Sequence, residues 1–300
     1  MSKELSRNRL ARYGLLLLAL VLVGGMLLAW DDARGKEQDT LKHPTGSDEV
    51  IVRIELSGGF MMPLSHATRI PSFTLYGDGC YIIEGPVIAI YPGPALPNLQ
   101  QGCLTDEGVQ QVLRAAQDAG LLDGDVNDTI DIIADAATTV FTVSAHGKTF
   151  VTTVYAFEEA DPSVLTAEQI ARRAKLKAFQ QSLPVNGNVV ADDLVAQPEQ
   201  AFNFERLTVI VIDGAPFASD GIEQGEVAWP LAQDLAGFGD EFSAVPDARC
   251  GVVEGADLDL LKTTLQGANS ESIWTSEGAE FTVVALPLLP DQTGCSAPAM

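Results

Sequence analysis

The sequence predicts an α+β protein in which an N-terminal transmembrane helix precedes two small domains, each an antiparallel sheet packed against helices. Three observations give this prediction. An uncharged apolar run occupies residues 13–30. Beyond it, segments that alternate like strands are interleaved with segments of helical periodicity. Hydrophobic residues make up 46% of the chain and charged residues 20%, close to the globular average, so the chain can bury substantial cores.

The run Tyr13–Trp30 predicts a membrane span. Its eighteen residues, at 1.5 Å each, nearly cross a hydrocarbon core of about 30 Å. Four cations precede it and Asp31 and Asp32 follow it, so the positive-inside rule makes residues 1–12 a cytoplasmic tail. A cleaved signal peptide is the alternative, although Leu28-Ala29-Trp30 is a poor cleavage site. In both cases the later residues lie outside the plasma membrane.

The chain beyond the span begins with a tether. Residues 31–48 contain Leu41 as their only large aliphatic residue, and glycine and proline break any periodicity, which predicts a flexible segment. About 250 residues then remain, enough for two domains or for one large one. We predict a first α+β domain over 49–185, a linker over 186–205 and a second α+β domain over 206–300.

The net charge of −23 excludes some partners. Residues 1–12 hold four basic residues and one acidic residue, so 14 basic and 40 acidic residues remain, a net charge of −26. Such a surface repels phosphate backbones, so nucleic acid is not an expected partner. It suits a divalent cation or a basic envelope protein, or it serves solubility alone.

Four cysteines agree with export. Two disulfides are expected in an oxidising compartment, and four cysteines allow three connectivities. We favour Cys80–Cys103 with Cys250–Cys295, because each bond then closes within one predicted domain. A zinc site is disfavoured because no C-x-x-C pair occurs.

The first domain begins with strands. Residues 50–57 alternate in polarity, and strands near Phe73–Tyr76 and Tyr81–Ile83 flank a turn at Gly77-Asp78-Gly79. Four prolines between residues 86 and 97 predict an extended surface loop.

Two helices and a hairpin follow. Thr105 and Thr166 are suitable N-caps, and Gln169 completes a capping box. Four cations on the second helix predict a solvated face or contacts with acidic groups. The cations are Arg172, Arg173, Lys175 and Lys177. The predicted order is a helix from Thr105 to about Ala119, a hairpin of Thr138–Ala145 and Thr149–Phe157 around His146-Gly147, and a helix from Thr166 to about Leu183.

The second domain has a similar loose order of elements. Leu207–Ile212 reads as a buried strand, and a short strand around Cys250 precedes a helix for which Asp257 is the predicted N-cap. Ile273–Thr275 and Phe281–Leu286 predict a hairpin. Trp229 and Trp274 are predicted to anchor the core.

The chain lacks the common catalytic motifs. No G-x-S-x-G, H-E-x-x-H, P-loop or G-x-G-x-x-G sequence occurs, and the three histidines are His43, His66 and His146. A Ser-His-Asp triad would need His66 or His146 without a supporting motif. Catalysis by a pair of carboxylates, as in glycoside hydrolases, stays an open alternative. With 40 acidic residues beyond residue 12, the sequence does not indicate which two would form such a pair.

One acidic segment resembles a cation-binding loop. Asp123, Asp125 and Asn127 match the first three ligand positions of an EF-hand loop, and Asp128 is adjacent. Asp128 replaces the turn glycine and Ala134 stands where the bidentate glutamate belongs. The pattern therefore predicts at most a weak calcium site, with an ordinary acidic loop as the alternative.

A strand that ends in the tetrapeptide Ser57-Gly58-Gly59-Phe60 is followed by a second strand, the helix Thr105–Gly120, the hairpin Thr138–Phe157 and a closing helix. In this order of elements, residues 50–183 resemble the emfourin family of proteinaceous metalloprotease inhibitors. The proline-rich insertion departs from the family pattern, and no inhibitory residue can be matched. The stretches Cys250-Gly251-Val252-Val253 and Trp274-Thr275-Ser276 are similar to uncharacterised exported, membrane-anchored bacterial proteins.

These observations predict a non-catalytic, membrane-anchored extracytoplasmic protein that binds a protein or small ligand at the cell envelope. Inhibition of a protease is the sharpest version that the resemblance implies. The alternatives are a carboxylate-dependent envelope hydrolase and a purely structural envelope component.

Overall fold

A computed structural model describes residues 40–184, 191–217, 221 and 224–295. From Leu41 onward the chain forms one compact unit. The predicted cytoplasmic tail and transmembrane segment lie outside the described residues. Within the described ranges, none of the helices has the length and hydrophobicity needed to cross a membrane.

Eight strands form the first sheet, in the order β5-β7-β6-β1-β2-β3-β4-β8. Their bounds are β1 Val50–Gly58, β2 Phe73–Tyr76, β3 Cys80–Glu84, β4 Leu99–Leu104, β5 Val126–Asp128, β6 Ala137–Ala145, β7 Lys148–Tyr155 and β8 Val195–Ala201.

Six strands form the second sheet, in the order β10-β13-β14-β9-β12-β11. Their bounds are β9 Arg206–Asp213, β10 Glu226–Ala228, β11 Asp240–Glu241, β12 Ala248–Glu254, β13 Ile273–Ser276 and β14 Ala279–Pro287.

Four α-helices accompany the sheets within the described residues. Their bounds are α1 Pro63–Ala67, α2 Asp106–Asp118, α3 Ala167–Ser182 and α4 Gly255–Leu265. Helices α2 and α3 share one buried core with the first sheet. Helix α4 buries Leu258, Leu261 and Leu265 in a second core with the second sheet.

The structure confirms a mixed α+β class but corrects the predicted strand directions. Strand β5 runs parallel to β7, and β10 runs parallel to β13. Each is a three-residue edge strand that does not come from a hairpin turn, so nothing forces it to run antiparallel. Both sheets are therefore mixed.

The helix caps and hairpins follow the sequence signals. The Thr105 hydroxyl accepts from the Gly108 amide at 3.2 Å, and Thr166 and Gln169 form the predicted capping box. At the β6–β7 turn, His146 and Gly147 both have positive φ, 53° and 70°, as a tight two-residue turn requires. The Asp257 cap is wrong, because α4 begins two residues earlier, at Gly255.

Both tryptophans predicted to anchor the core are buried there. Their rings meet edge to face, with centroids 5.8 Å apart. The Trp229 indole also donates to the Gln233 carbonyl at 2.8 Å, so its polar group is satisfied.

The described parts of the predicted tether and of the predicted linker are packed against or paired with the first domain. Leu41, from the predicted tether, is buried, and its amide donates to Gln110 Oε1 at 2.8 Å. Within the predicted linker, β8 pairs with β4. The composition of each segment is polar, but a neighbouring element supplies the partners for its backbone groups.

Both favoured disulfides are present. Cys80 and Cys103 face each other on β3 and β4, and Cys250 on β12 is joined to Cys295. The second bond fixes the C-terminal segment to the second sheet.

The C-terminal segment joins the two sheets. After β14, Leu289 packs with Tyr76, Ile82 and Leu99 on the face of the first sheet opposite the helices. Beside it, the Arg53 guanidinium donates to Asp291 Oδ1 at 2.7 Å, and the Tyr76 hydroxyl donates to the same oxygen at 2.8 Å.

This contact shifts the pKa values of its members, including those of Tyr76 and Asp291. Burial raises the pKa of Tyr76, and the carboxylate of Asp291 raises it further. Burial alone would raise the pKa of Asp291, but the hydrogen bond and charge of Arg53 outweigh it and lower that pKa below its usual range. The contact therefore stabilises the ionised carboxylate.

Strand β4 needs a glycine where it passes Tyr81. Gly102 is paired with Tyr81 of β3, and a Cβ at position 102 would lie 2.5 Å from the Tyr81 hydroxyl oxygen. That hydroxyl donates to Glu199 of β8 at 3.1 Å, so the ring cannot move away without losing its partner.

We predict that Gly102→Ala lowers the free energy of unfolding by about 1–3 kcal/mol, because the added methyl group overpacks this site. Urea unfolding followed by tryptophan fluorescence measures the loss. Gly225→Ala is the matched control, since a Cβ there meets nothing within 4 Å and its φ is not positive. Equal stability of both variants would contradict the steric argument.

We predict that Asp291→Asn lowers the free energy of unfolding at neutral pH by about 1–3 kcal/mol, the scale of a hydrogen bond to a charged group. The folded-state pKa of Asp291 lies below its unfolded-state pKa. Its stabilisation is therefore complete above about pH 4 and disappears as the pH falls through the folded-state pKa.

Urea unfolding across this acidic range should show the two proteins converging in stability as the pH falls. A constant difference down to strongly acidic pH would show that the charge of Asp291 is not the cause.

Candidate functional site

The two ends of the first sheet differ in what they carry. At one end, the chain enters the sheet region at Leu41, and the His146 amide in the β6–β7 turn donates to the Lys42 carbonyl at 2.7 Å. The Cys80–Cys103 bond lies at the same end, at the start of β3 and the close of β4. We call this the entry end.

The opposite end carries exposed apolar loops. The strand register places Gly58, Glu84 and Tyr155, the final residues of β1, β3 and β7, at this end. Fourteen large hydrophobic side chains are exposed in the described residues, and nine of them belong to this end. We call the nine the apolar tip: Leu56, Phe60, Met61, Met62, Val87, Ile88, Ile90, Tyr91 and Ile132.

The first loop of the tip is held in place while its side chains stay in solvent. The Phe60 amide donates to the Asp135 carbonyl at 3.0 Å. Arg69 donates to the Gly58 carbonyl at 2.7 Å and to the Met61 sulfur at 2.6 Å. Phe60 is nevertheless 87% exposed and Met62 73% exposed. A backbone fixed in this way presents apolar side chains at a low entropic cost of binding.

The second loop of the tip is also tied down. Asn98 donates from its side-chain amide to the Pro86 carbonyl at 2.8 Å, and the Gly85 amide donates to the Asn98 carbonyl at 2.6 Å. Further along, the Tyr91 hydroxyl donates to Glu271 at 2.8 Å. Even so, Ile88 between these anchors is 74% exposed.

A groove runs beside the tip, between the loop that follows β3 and the C-terminal half of α3. Its volume is about 810 Å³. Pro86 and Val87 contribute exposed apolar surface, and Ser72 and Gln180 contribute polar groups. The core residues Ile54, Phe73 and Leu183 also line the groove but are almost fully buried. The charged residues that line it are Glu84, Glu158 and Lys177.

The predicted calcium ligands do not converge on one point. Asp125 accepts from the Val151 amide at 2.8 Å, and Asn127 accepts from the Thr153 hydroxyl at 2.8 Å. Asn127 is exposed whereas Asp128, the next residue of β5, is buried, because successive strand side chains point to opposite faces. Within the described ranges, no three His, Cys, Asp or Glu side chains are grouped to hold a metal ion.

Asp128 instead binds the basic helix. It lies 3.4 Å from both Arg172 and Arg173, and it accepts from the Gln169 side-chain amide at 2.8 Å. Arg173 also donates to the carbonyls of Tyr155 and Ala156, each at 2.8 Å. Lys177 pairs with Glu158 at 2.9 Å. The cations of α3 thus mostly neutralise the protein's own acids, and Lys175 alone of the four has no such partner in the described structure.

The histidines lie far apart in the fold. His66 belongs to α1, close to the apolar tip, whereas His146 sits in the turn at the entry end. His43 lies in the segment that leads into β1, where its Nδ1 is 2.6 Å from the Pro44 carbonyl. The two histidines considered for a triad therefore belong to opposite ends of one sheet.

Sequence reasoning missed the apolar tip. The available signal was large apolar residues inside loops: Phe60-Met61-Met62 lies between Gly59 and Pro63, and residues 87–91 lie between prolines. Loops usually carry polar residues, so uncovered apolar side chains in such segments indicate an interaction surface.

Comparisons with known proteins give no further assignment, because no family model, no curated protein and no solved structure matches the chain.

We predict that Asp128→Ala lowers the free energy of unfolding by about 3 kcal/mol, because it leaves the buried Arg173 without its carboxylate. The loss should be the same with and without excess calcium, as measured by urea unfolding. Asp123→Ala, at an exposed position, is the control and should change stability by less than about 0.5 kcal/mol. If calcium stabilised the wild-type protein but not Asp123→Ala, the hypothesis of a calcium site at this loop would be supported.

Proposed function

We propose that this protein is a non-catalytic, membrane-anchored extracytoplasmic domain that binds a protein partner at the cell envelope through its apolar tip. One observation carries the proposal: nine of the fourteen exposed large hydrophobic side chains belong to a single end of the first sheet. Exposed apolar side chains scattered singly are ordinary, but a concentration of them marks an interaction site.

Two further properties support this proposal. The disulfides Cys80–Cys103 and Cys250–Cys295 are compatible with an oxidising compartment outside the cytoplasm. The tip lies at the end of the sheet opposite Leu41, so a connection to a membrane anchor through Leu41 leaves the tip loops uncovered.

Charge favours a protein over a lipid surface as the partner. The residues after position 12 carry a net charge of −26, which opposes contact with anionic headgroups. Acidic side chains also stand next to the tip loops, including Asp131 and Asp135 beside Ile132. Insertion of the tip into a bilayer would bring these carboxylates to the lipid surface.

The resemblance to proteinaceous metalloprotease inhibitors gives a narrower version of the proposal. The tetrapeptide on which it rests, Ser57-Gly58-Gly59-Phe60, leads directly into the first tip loop. A thermolysin-like protease that loses activity when this protein is in excess would support inhibition. If the protease kept its full activity in excess protein, inhibition would be ruled out, whereas the broader proposal of partner binding would stand.

We predict that the double variant Phe60→Ser, Met62→Ser loses its envelope partner. Tagged full-length protein is crosslinked in its membrane, isolated in detergent and analysed by quantitative mass spectrometry. Apolar anchors of a protein interface contribute more than about 1 kcal/mol each, so enrichment of the partner should fall at least about tenfold.

The matched control is Phe217→Ser, which removes an aromatic ring that is 98% exposed outside the apolar tip. It should leave the enrichment unchanged. Equal enrichment by wild type and by the double variant would overturn the proposal. Binding of wild type, but not of the double variant, to phosphatidylglycerol vesicles would instead make the tip a lipid-binding device.

A further inference from the structure

We propose that the groove beside the tip receives an extended segment of the partner in which apolar side chains alternate with lysine or arginine. This inference rests on the proposed function, since it specifies the chemistry of the partner that the tip engages. Val87 belongs both to the tip and to the wall of the groove, so the two form one continuous surface.

The groove is large enough to hold a ligand. Its volume of about 810 Å³ lies within the range of about 300–1,000 Å³ that ligand sites occupy. Val87 on the groove wall is 64% exposed and offers apolar surface for an aliphatic side chain, whereas Ile54, Phe73 and Leu183 line the groove but are almost fully buried. The Ser72 hydroxyl donates to the Ile54 carbonyl at 3.1 Å, so its lone pairs are free to accept a main-chain amide of the partner.

The charges of the groove select a cationic segment. Glu158 is neutralised by Lys177 at 2.9 Å, and the Lys177 ammonium lies 5.5 Å from the centre of the Phe157 ring. Glu84, on the opposite wall, forms no salt bridge within the described structure. The groove therefore retains one unneutralised carboxylate next to apolar surface, in a strongly acidic protein that attracts cations from a distance.

The β8 edge of the first sheet does not offer an equivalent peptide site. An extended peptide could in principle add as a strand to the outer edge of β8. That strand carries Pro198, which lacks an amide hydrogen, and Glu199, which is bonded to Tyr81. Proline and charge on an edge strand oppose pairing with another chain, so the groove is the better place for an extended segment.

Synthetic peptides test this inference on the full-length protein held in nanodiscs of zwitterionic lipid, with empty nanodiscs as background. The probe is a short fluorescent peptide in which valine and lysine alternate, and its counterpart has glutamate in place of each lysine. We expect saturable binding of the lysine peptide, weakened by added salt, and no binding of the glutamate peptide. Equal binding of both peptides, or none of either, would overturn the inference.

A pair of charge-reversing variants distinguishes peptide binding in the groove from attraction by the net negative charge of the protein. Glu84→Lys and Glu226→Lys change the net charge equally, but Glu226 lies on β10 in the second sheet. We expect Glu84→Lys to lower the affinity for the lysine peptide by about tenfold, and Glu226→Lys to leave that affinity within about twofold of the wild-type value. Equal effects of the two variants would show that general attraction, and not the groove, binds the peptide.

Different experimental results would overturn the groove inference and the proposed function. If the double variant of Phe60 and Met62 loses its envelope partner while Glu84→Lys still binds the lysine peptide normally, the groove inference is overturned and the proposed function stands. If the double variant keeps its partner, the proposed function is overturned whatever the peptides show.

Discussion

One carboxylate, that of Asp291, makes a partly buried polar contact that ties the segment after the second sheet to the first sheet. It accepts from the Arg53 guanidinium of the first sheet and from the Tyr76 hydroxyl. Leu289 provides the apolar part of the same contact, and Cys295 fixes the segment to β12 through its disulfide. A short C-terminal segment is thereby held against the first sheet and bonded to the second.

This contact decides which surface of the first sheet stays available. Helices α2 and α3 cover one face, and the C-terminal segment covers part of the other. The loops at the ends of the strands are then the main apolar surface left to solvent. At the entry end the loops that join β2 to β3 and β6 to β7 are the tight turns at Gly77-Asp78-Gly79 and His146-Gly147, whereas the other end carries the long apolar loops of the tip. The concentration of exposed apolar residues at one end follows from this difference in loop length.

Local signals were sufficient to predict the elements that depend on neighbouring residues. The capping box at Thr166, the Thr105 cap, the turn at His146-Gly147 and the buried strand β9 all appear where the sequence indicates them. The favoured disulfide pairing also holds, because each pair lies within one region of the fold. For the caps and the turn, the determining interactions lie within a few residues of each other in the sequence.

Elements fixed by distant partners could not be predicted in this way. Strand β8 has the sequence Val-Ala-Gln-Pro-Glu-Gln-Ala, which shows neither alternation nor β-branched enrichment, and it is a strand because β4 supplies its hydrogen bonds. Asp128 looked like a cation ligand because its sequence neighbours are acidic. Its actual partners, Arg172 and Arg173, lie 44 and 45 residues away. The tip was missed for a related reason: the sequence shows apolar residues in loops but not whether another element covers them.

The distribution of cations makes the outer surface more uniform in sign than the composition suggests. Arg53, Arg173 and Arg249 bind the protein's own carboxylates, and Arg206 and Lys262 donate to carbonyl oxygens. Across the described residues, only Lys42, Lys148 and Lys175 lack a side-chain hydrogen bond or salt bridge.

Two of these three lysines, Lys42 and Lys148, lie at the entry end, away from the apolar tip. The tip end carries its apolar loops, the cation of Arg69 and acids such as Glu84, which forms no salt bridge in the described structure although Lys177 lines the same groove. Because opposite charges attract across solvent and apolar surfaces associate on contact, a basic protein with apolar side chains between its cations is the partner we propose for this end. Under that proposal, the internal pairing of cations that stabilises the fold also influences which partner the exposed end attracts.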